Sequence, residues 1–387
     1  MIVKDEEHVI ERCFDNVRHL IDAIVIMDTG STDKTIELME GYIKKHNLIG
    51  KIGRDKWVDD FGYSRTAAVK LAEEFIRSTA NVNLPKRPVS RKEWSTITSA
   101  DSWYILFMDA DNEAKSDDGR LFTFDKDALT EDKYNVKMRQ NSVSYDYVWL
   151  IKVDLFGQRE WEWKGVLHEY VREIGFQASQ GMITGGYILS GRTGSRNNDP
   201  LKYRKDALIF ERALLKEPNN DRYWFYLAQS YRDAGDDFNA VRCYLKRASM
   251  GGWHEEVYYS YLEAARLSLK RKPTKAHKPI LFLMKAIEAH PGRFEAPYIL
   301  TDMARQNNLF KMGWSLAKDY VNKPFPANDM LFVDEAIHRW RFYDVAAICA
   351  FYAGDKAECK RIATLALQYP TLDEGTRKRI QTNIDFC

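Results

Sequence analysis

The first hundred residues alternate short apolar runs with segments of helical spacing. Met1 to Val3 reads as a short strand. From Glu6 to Leu20 the apolar residues Val9, Ile10, Cys13, Phe14 and Val17 fall three and four apart, the spacing of an amphipathic helix. Ala23 to Met27 is a β-branched strand, closed by the turn residues Asp28, Thr29, Gly30, Ser31, Thr32 and Asp33. Thr32 or Asp33 can cap the next helix, whose stripe is Ile36, Met39, Tyr42 and Ile43. A weaker strand over Lys51 to Trp57, a helix over Tyr63 to Arg77 and a strand over Trp103 to Met108 follow. Strand and helix in alternation predict a parallel α/β sheet, whose ligands bind beyond the carboxyl ends of the strands.

The polar stretch Asn81 to Asp101 is long for a loop inside a compact domain and reads as an insertion. Strand-like runs such as Val148 to Val153 lead into WEWKGVLHEY. After about Asp199 strand signals stop and helical patterns succeed one another. Trp224 to Tyr231, WFYLAQSY, fits the tetratricopeptide (TPR) pattern with Ala228 at the usual glycine, and Gly235, Ala240 and Tyr244 continue it. Helices end at Pro218, Pro291 and Pro370, each separated by roughly two repeats of ~34 residues. The expected organisation is an α/β domain over 1–198 and a helical-repeat domain over 199–387.

Composition narrows the class. The 387 residues exceed one average domain, and a net charge of +2 leaves no electrostatic footprint for nucleic acid. No apolar stretch nears the ~20 residues of a membrane span, and the start shows no signal-peptide pattern. Five scattered cysteines, none in a CxxC pair, predict reduced thiols and a cytoplasmic setting.

Five places carry candidate chemistry. Asp109 and Asp111 follow an apolar strand; alternate strand residues point the same way, so the two carboxylates can share one Mg²⁺ or Mn²⁺. Asp28 to Asp33 is a turn of small residues that lets backbone approach a ligand, or an ordinary turn with a helix cap. Arg65 lies near a helix start on the same side of the sheet, where a guanidinium can clamp a diphosphate. His168 and Glu169 lack the second histidine of a zincin, since Arg172 stands there; neighbouring Trp161 and Trp163 either stack on a sugar or pack. Arg192, Arg196 and Lys202 sit among Gly and Ser in a loop suited to phosphate oxygens or to a basic linker.

Taken in order, MIVKDEEHVIERC, IVIMDTGSTDKT, DDFGYSRTAA, YILFMDADNEA and WKGVLHEYV resemble the serial motifs of family 2 glycosyltransferases of the GT-A fold, in the type that carries C-terminal TPR repeats. The resemblance implies a GT-A, mostly parallel α/β domain followed by an all-α repeat domain. It implies a metal-dependent, inverting hexosyl transfer from a nucleoside diphosphate-sugar, UDP-sugar favoured, to a glycan or protein acceptor. Val3 and Glu6 would lie by the nucleobase and Asp28 would hold it, with Ser31, Asp33, Arg65, Arg192 and Arg196 completing the donor site. Asp109 would hold ribose and, with Asp111 and His168, the metal (Mn²⁺ or Mg²⁺). Glu169 would be the general base, with His168 beside it and Glu162 as rival; Trp161 and Trp163 would face the acceptor, and the insertion before Trp103 would lid the donor. The helical repeats would bind a protein partner or self-associate. The competing readings are a TPR scaffold with an inactive α/β domain, and a nucleotidyltransferase.

Overall fold

A computed structural model describes residues 1–79, 103–140, 143–153, 159–270 and 277–387. The expected insertion at Asn81–Asp101 lies outside them. The chain divides into two units, Met1–Lys205 and Asp206–Cys387, a little past the 198/199 boundary read from the sequence.

The first unit begins as the hydrophobic pattern predicts. β1 (Ile2–Val3), β2 (Ala23–Asp28) and β3 (Ile49–Arg54) form a parallel sheet in the order β1-β2-β3. Helix α1 (Ile10–Val17) buries Ile10, Cys13, Phe14 and Val17, one face of a helix. α2 (Thr35–Lys45) adds Met39 and Tyr42, which pack with Ile24 and Ile26 into one core. The register sets Val3 beside Asp28 and Asp28 beside Arg54, so all three mark the carboxyl ends of the parallel strands. Helix α3 (Phe61–Thr79) follows.

Parallel pairing then gives way to a mixed sheet. β4 (Tyr104–Leu106), β5 (Glu113–Ser116), β6 (Lys133–Gln140), β7 (Val143–Lys152) and β10 (Gln180–Leu189) form five strands in the order β4-β7-β6-β10-β5. Only β6 and β10 run parallel there; β4 pairs antiparallel with β7. A run such as Trp103–Met108 states that a strand is buried, not which neighbour it takes, and the ladder covers only its middle three residues. β8 (Glu160–Lys164) and β9 (Tyr170–Ile174) form a separate antiparallel ribbon.

The second unit is a succession of helices. They are α4 (Lys202–Lys216, which straddles the division), α5 (Asp221–Asp233), α6 (Asp237–Ser249), α7 (His254–Lys270), α8 (His277–Ala289), α9 (Glu295–Gln306), α10 (Phe310–Ala317), α11 (Phe342–Ala353), α12 (Lys356–Leu367) and α13 (Glu374–Asp385). Side-chain caps from Asn220, Asp236, Asp355 and Asp373 start α5, α6, α12 and α13. The repeat-pattern residues Ala228, Ala240 and Tyr244 are fully buried, the small ones where helices approach closely. Among the described residues, no helix is long and apolar enough to cross a membrane.

Candidate active site

Four segments of the first unit converge at the carboxyl ends of β1, β2 and β4. The segments 5–7 and 31–35 are laced together. Asp5 N–H donates to Ser31 Oγ and Glu6 N–H to Thr35 Oγ1, while Thr32 N–H donates to Asp5 Oδ1 and Lys34 N–H to Glu7. Asp33 accepts from the Glu7 and Thr35 amides. Burial alone would raise its pKa, but the hydroxyl and amide of Thr35 outweigh burial and hold it below the usual carboxylate range. Asp28 is buried and accepts from the amides of Gly30 and Ser31, so its carboxylate shapes the turn that follows β2. The Val3 carbonyl accepts both the amide and the hydroxyl of Thr29.

Arg65 ties the second group together. Gly62 places α3 against the ribbon so closely that a Cβ would sit 2.7 Å from the Trp163 carbonyl. Thr66 fixes the same contact, accepting the Trp163 amide at 2.9 Å. Arg65, one turn into the helix, packs 5.0 Å from the centre of the Trp163 ring. Its Nη2 donates to Asp109 Oδ1 at 2.8 Å and its Nε to Glu169 Oε1 at 2.6 Å. Burial would disfavour the charged guanidinium, but Asp109 and Glu169 overcome it and keep Arg65 charged at any working pH. Tyr147 stands in the same surroundings, and its buried hydroxyl has no hydrogen-bond partner among the described residues.

Asp111 faces the segment 191–195. Its Oδ2 accepts the Gly194 amide at 3.0 Å. At Gly191 a Cβ would lie 1.8 Å from the Asp111 carbonyl oxygen, so no other residue fits. Glu6 accepts the Ser195 amide and lies among these carboxylates. Burial, then Asp111 and Asp109, push its pKa up to about 7 against the pull of the Ser195 hydrogen bond. Arg12 reaches Thr193 Oγ1 at 3.2 Å, and His8 Nε2 meets the Thr193 carbonyl at 2.7 Å.

Several expectations change. Trp161 and Trp163 do not face an acceptor: both are buried in a core with Val69, Phe107, Ile151 and Val171, and Trp161 Nε1 donates to the Lys152 carbonyl. Glu162 alternates to the opposite face of β8 from Trp163 and Arg65, where it pairs with Arg172 at 2.6 Å, so it loses to Glu169 as the acid–base candidate near Asp109. Arg65 turns two of its donors to carboxylates, not outward to a diphosphate. Among the described residues, Asp109, Asp111 and His168 do not bring three ligand atoms within 4.8 Å of one another. Asp109 turns to Arg65, Asp111 to Gly194, and His168 sits on an exposed left-handed turn at φ 52°. Arg192 is exposed, also left-handed, and the Arg196 guanidinium lies 4.7 Å from the Phe61 ring. Tyr147 was not legible as a site residue, since nothing but its place in a strand marks it. Gly191 and Gly194 were readable only as loop glycines; their reason is the approach to Asp111.

The two aspartates remain suited to a hard cation. Among the described residues, Asp109 Oδ2 and Asp111 Oδ1 have no hydrogen-bond donor, nor has Glu169 Oε2. Carboxylate oxygens of this kind fit Mg²⁺ or Mn²⁺, and Asp111 and Asp109 add their negative charge to the burial that raises Glu6.

Comparison with known proteins finds likenesses for parts of the chain. Residues 1–74 match the sequence profile of "Glycosyl transferase family 2". The SPbeta prophage-derived glycosyltransferase SunS of Bacillus subtilis is 23% identical over 256 residues, 64% of this chain and 52% of that protein. The chain thus spans about half the length of the curated glycosyltransferases it matches. A TPR repeat-containing protein of Synechococcus elongatus is 32% identical over 72 residues, 19% of this chain and 16% of its own. Among solved structures, MamA covers 47% of this chain and 92% of its own at 14% identity and a TM-score of 0.34. YrrB, a TPR protein, covers 47% and 84% at 11% identity and 0.34. The family 2 match thus covers residues 1–74, inside the first unit, and the second unit is the succession of helices described above.

Proposed function

We propose that the protein transfers a glycosyl group, with inversion, from a nucleoside diphosphate-sugar to an acceptor hydroxyl. The observation that carries this reading is the shared guanidinium: Arg65 joins Asp109 to Glu169, 44 and 104 residues away in sequence, and leaves each carboxylate one oxygen without a donor. Asp109 Oδ2 and Asp111 Oδ1 would hold the Mn²⁺ or Mg²⁺. When bound, that ion offsets the charge growing on the leaving diphosphate. The turn Asp28 to Asp33, with Val3 and Glu6 at the neighbouring strand end, would receive the nucleoside, UDP favoured. Arg192 and Arg196 would approach the diphosphate.

Glu169 Oε2 would take the proton of the acceptor hydroxyl as it attacks the anomeric carbon and the diphosphate leaves from the opposite face. Arg65 would act through Asp109 and Glu169, fixing their separation. His168 stands next to the base on an exposed turn and would meet donor or acceptor there. The acceptor, a glycan or a protein, would be chosen outside this carboxylate group, and the helical repeats are the natural place for a protein partner.

The test is turnover of a panel of nucleotide sugars with and without Mn²⁺. Metal-dependent release of nucleoside diphosphate, abolished in Asp109→Ala and in Asp111→Ala, is expected. The reading fails if no nucleotide sugar is bound, or if both variants turn over as the parent does.

A further inference from the structure

We propose that the helical unit holds a second metal site, for a zinc-class divalent cation, built from His254, His290 and Asp329. His254 is the first residue of α7, His290 follows the last turn of α8, and Asp329 lies in the long segment between α10 and α11. One ligand atom from each lies within 4.8 Å of the other two. The two histidines are spaced by roughly one repeat of ~34 residues, so successive repeats offer them to the same side.

The geometry of the pair His290–Asp329 points to a missing third party. His290 Nε2 and Asp329 Oδ2 are 2.9 Å apart, the distance of a hydrogen bond. Both atoms are buried from solvent, yet among the described residues neither makes a hydrogen bond. A buried nitrogen and a buried carboxylate oxygen left in that state are costly. Two such atoms this close together, with a third ligand atom within 4.8 Å, can share one ion. The His254 ring lies 4.7 Å from the His290 ring, tilted by 59°, and supplies the third ligand from the exposed side.

The surroundings hold these three in place without filling the site. Glu255, next to His254, accepts the amides of Met330 and Leu331, which fastens the segment just after Asp329. Arg293, just beyond His290, donates to the carbonyls of Leu331 and Phe332. Among the described residues, the ion-pair partners of Asp329 are His290 and this Arg293, whose Nη1 is 3.6 Å from Oδ2. Its charge is matched by Glu295, which it engages with both Nε and Nη2. Two imidazoles and one carboxylate suit zinc and its neighbours; Mg²⁺ and Ca²⁺ prefer oxygen alone. The exposed edge at His254 leaves a fourth position for water. The ion would staple the 318–336 segment to two repeats.

The experiment uses the full chain, stripped with a chelator and titrated with Zn²⁺ and separately with Co²⁺. One ion per chain should bind at the helical unit, raise the melting temperature and survive excess Mg²⁺. The Co²⁺ spectrum should show ligand-field bands without thiolate charge transfer. His290→Gln and Asp329→Asn should each weaken binding by more than about 100-fold, a scale that even outer partners of metal ligands can reach. His254→Gln, at the exposed side and least able to disturb folding, should weaken it too. Asp109→Asn and Asp111→Asn should leave it unchanged. A Co²⁺ spectrum with thiolate bands, no stoichiometric Zn²⁺ uptake by the parent, or equal affinity in His254→Gln and the parent would each overturn the proposal.

Discussion

Two of the buried guanidiniums, Arg65 in the first unit and Arg293 in the second, are partnered in opposite ways. Arg293 gives Nε and Nη2 to Glu295 and its remaining donors to two backbone carbonyls. Glu295, only 1% exposed, also accepts from Tyr258 Oη and the Asp334 amide and lies 3.3 Å from His338 Nε2. Burial would raise its pKa, but His338 and Arg293 outweigh burial and hold it far below the usual range. Arg65 instead divides its donors between two carboxylates, each left with one oxygen lacking a donor, and the Asp109 side chain is 37% exposed. A closed network fixes a fold; an open one holds reactive groups apart at a set distance. The difference lies in what is left over at each site.

The strongest way to break this comparison is to show that the open network is also only structural. Asp109→Asn and Glu169→Gln keep shape and hydrogen-bonding capacity but remove charge. Each should lower metal-dependent transfer by about 10²–10⁴-fold, while thermal stability changes little. Initial rates with a competent nucleotide sugar, beside melting curves, give both numbers. A large loss of stability with full specific activity in the surviving fraction would make Arg65 a second Arg293.

The closed network should respond the other way. Arg293→Ala leaves Glu295 buried beside Tyr258 and His338 without its principal counter-charge. Breaking a buried pair from one side costs about 3–5 kcal/mol, read as the shift in the urea midpoint of the helical unit. Transfer by the folded fraction should be unchanged.

How much of this was legible beforehand differs between the same two regions. Helix α1 was readable because Ile10, Cys13, Phe14 and Val17 fall three and four apart and are all buried, Ile10 and Phe14 in one cluster and Cys13 and Val17 in the next. The repeats were readable because Ala228 and Tyr244 occupy positions that repeat packing requires to be small or aromatic. Sheet partners were not: the run Trp103–Met108 has the same apolar pattern whether it joins β1 or, as found, β7. The candidate aspartates on strand ends stood out because they are out of keeping with the apolar run before them. Trp161 and Trp163 misled because an aromatic residue looks the same in sequence whether it packs or stacks. The networks around Arg293 and His254 were invisible, since they join residues through folding alone.

A smaller effect sharpens the role of the loop 190–198. At Gly191 a methyl would collide with the Asp111 carbonyl at 1.8 Å, so Gly191→Ala must displace either the loop or the turn that carries Asp111. Displacing reacting groups by about 1 Å lowers turnover by about 10²-fold. The Michaelis constant for the nucleotide sugar should rise with it. Gly119→Ala, with φ 78° but nothing within 4 Å of its Cβ, carries the backbone strain without the collision. It should leave turnover alone, which separates displacement of Asp111 from a generic glycine effect.

The smallest effect concerns charge rather than contact. Glu6 has its pKa raised to about 7, chiefly by burial and then by Asp111 and Asp109. A carboxyl whose pKa is higher folded than unfolded favours the folded state most at low pH, where it is protonated in both. That contribution is lost as pH rises from the ordinary carboxylate range through about 7, since the unfolded chain then releases its proton first. Glu6→Gln keeps an oxygen to accept the Ser195 amide and removes the titration. The variant should therefore melt close to the parent near pH 5 and above it near pH 8, with the gap opening between those values. Added Mn²⁺ should narrow the gap, because a cation at Asp109 and Asp111 relieves the same repulsion that Glu6 feels. If the gap is constant across that pH range, Glu6 is not in the carboxylate cluster and the open network is smaller than drawn here.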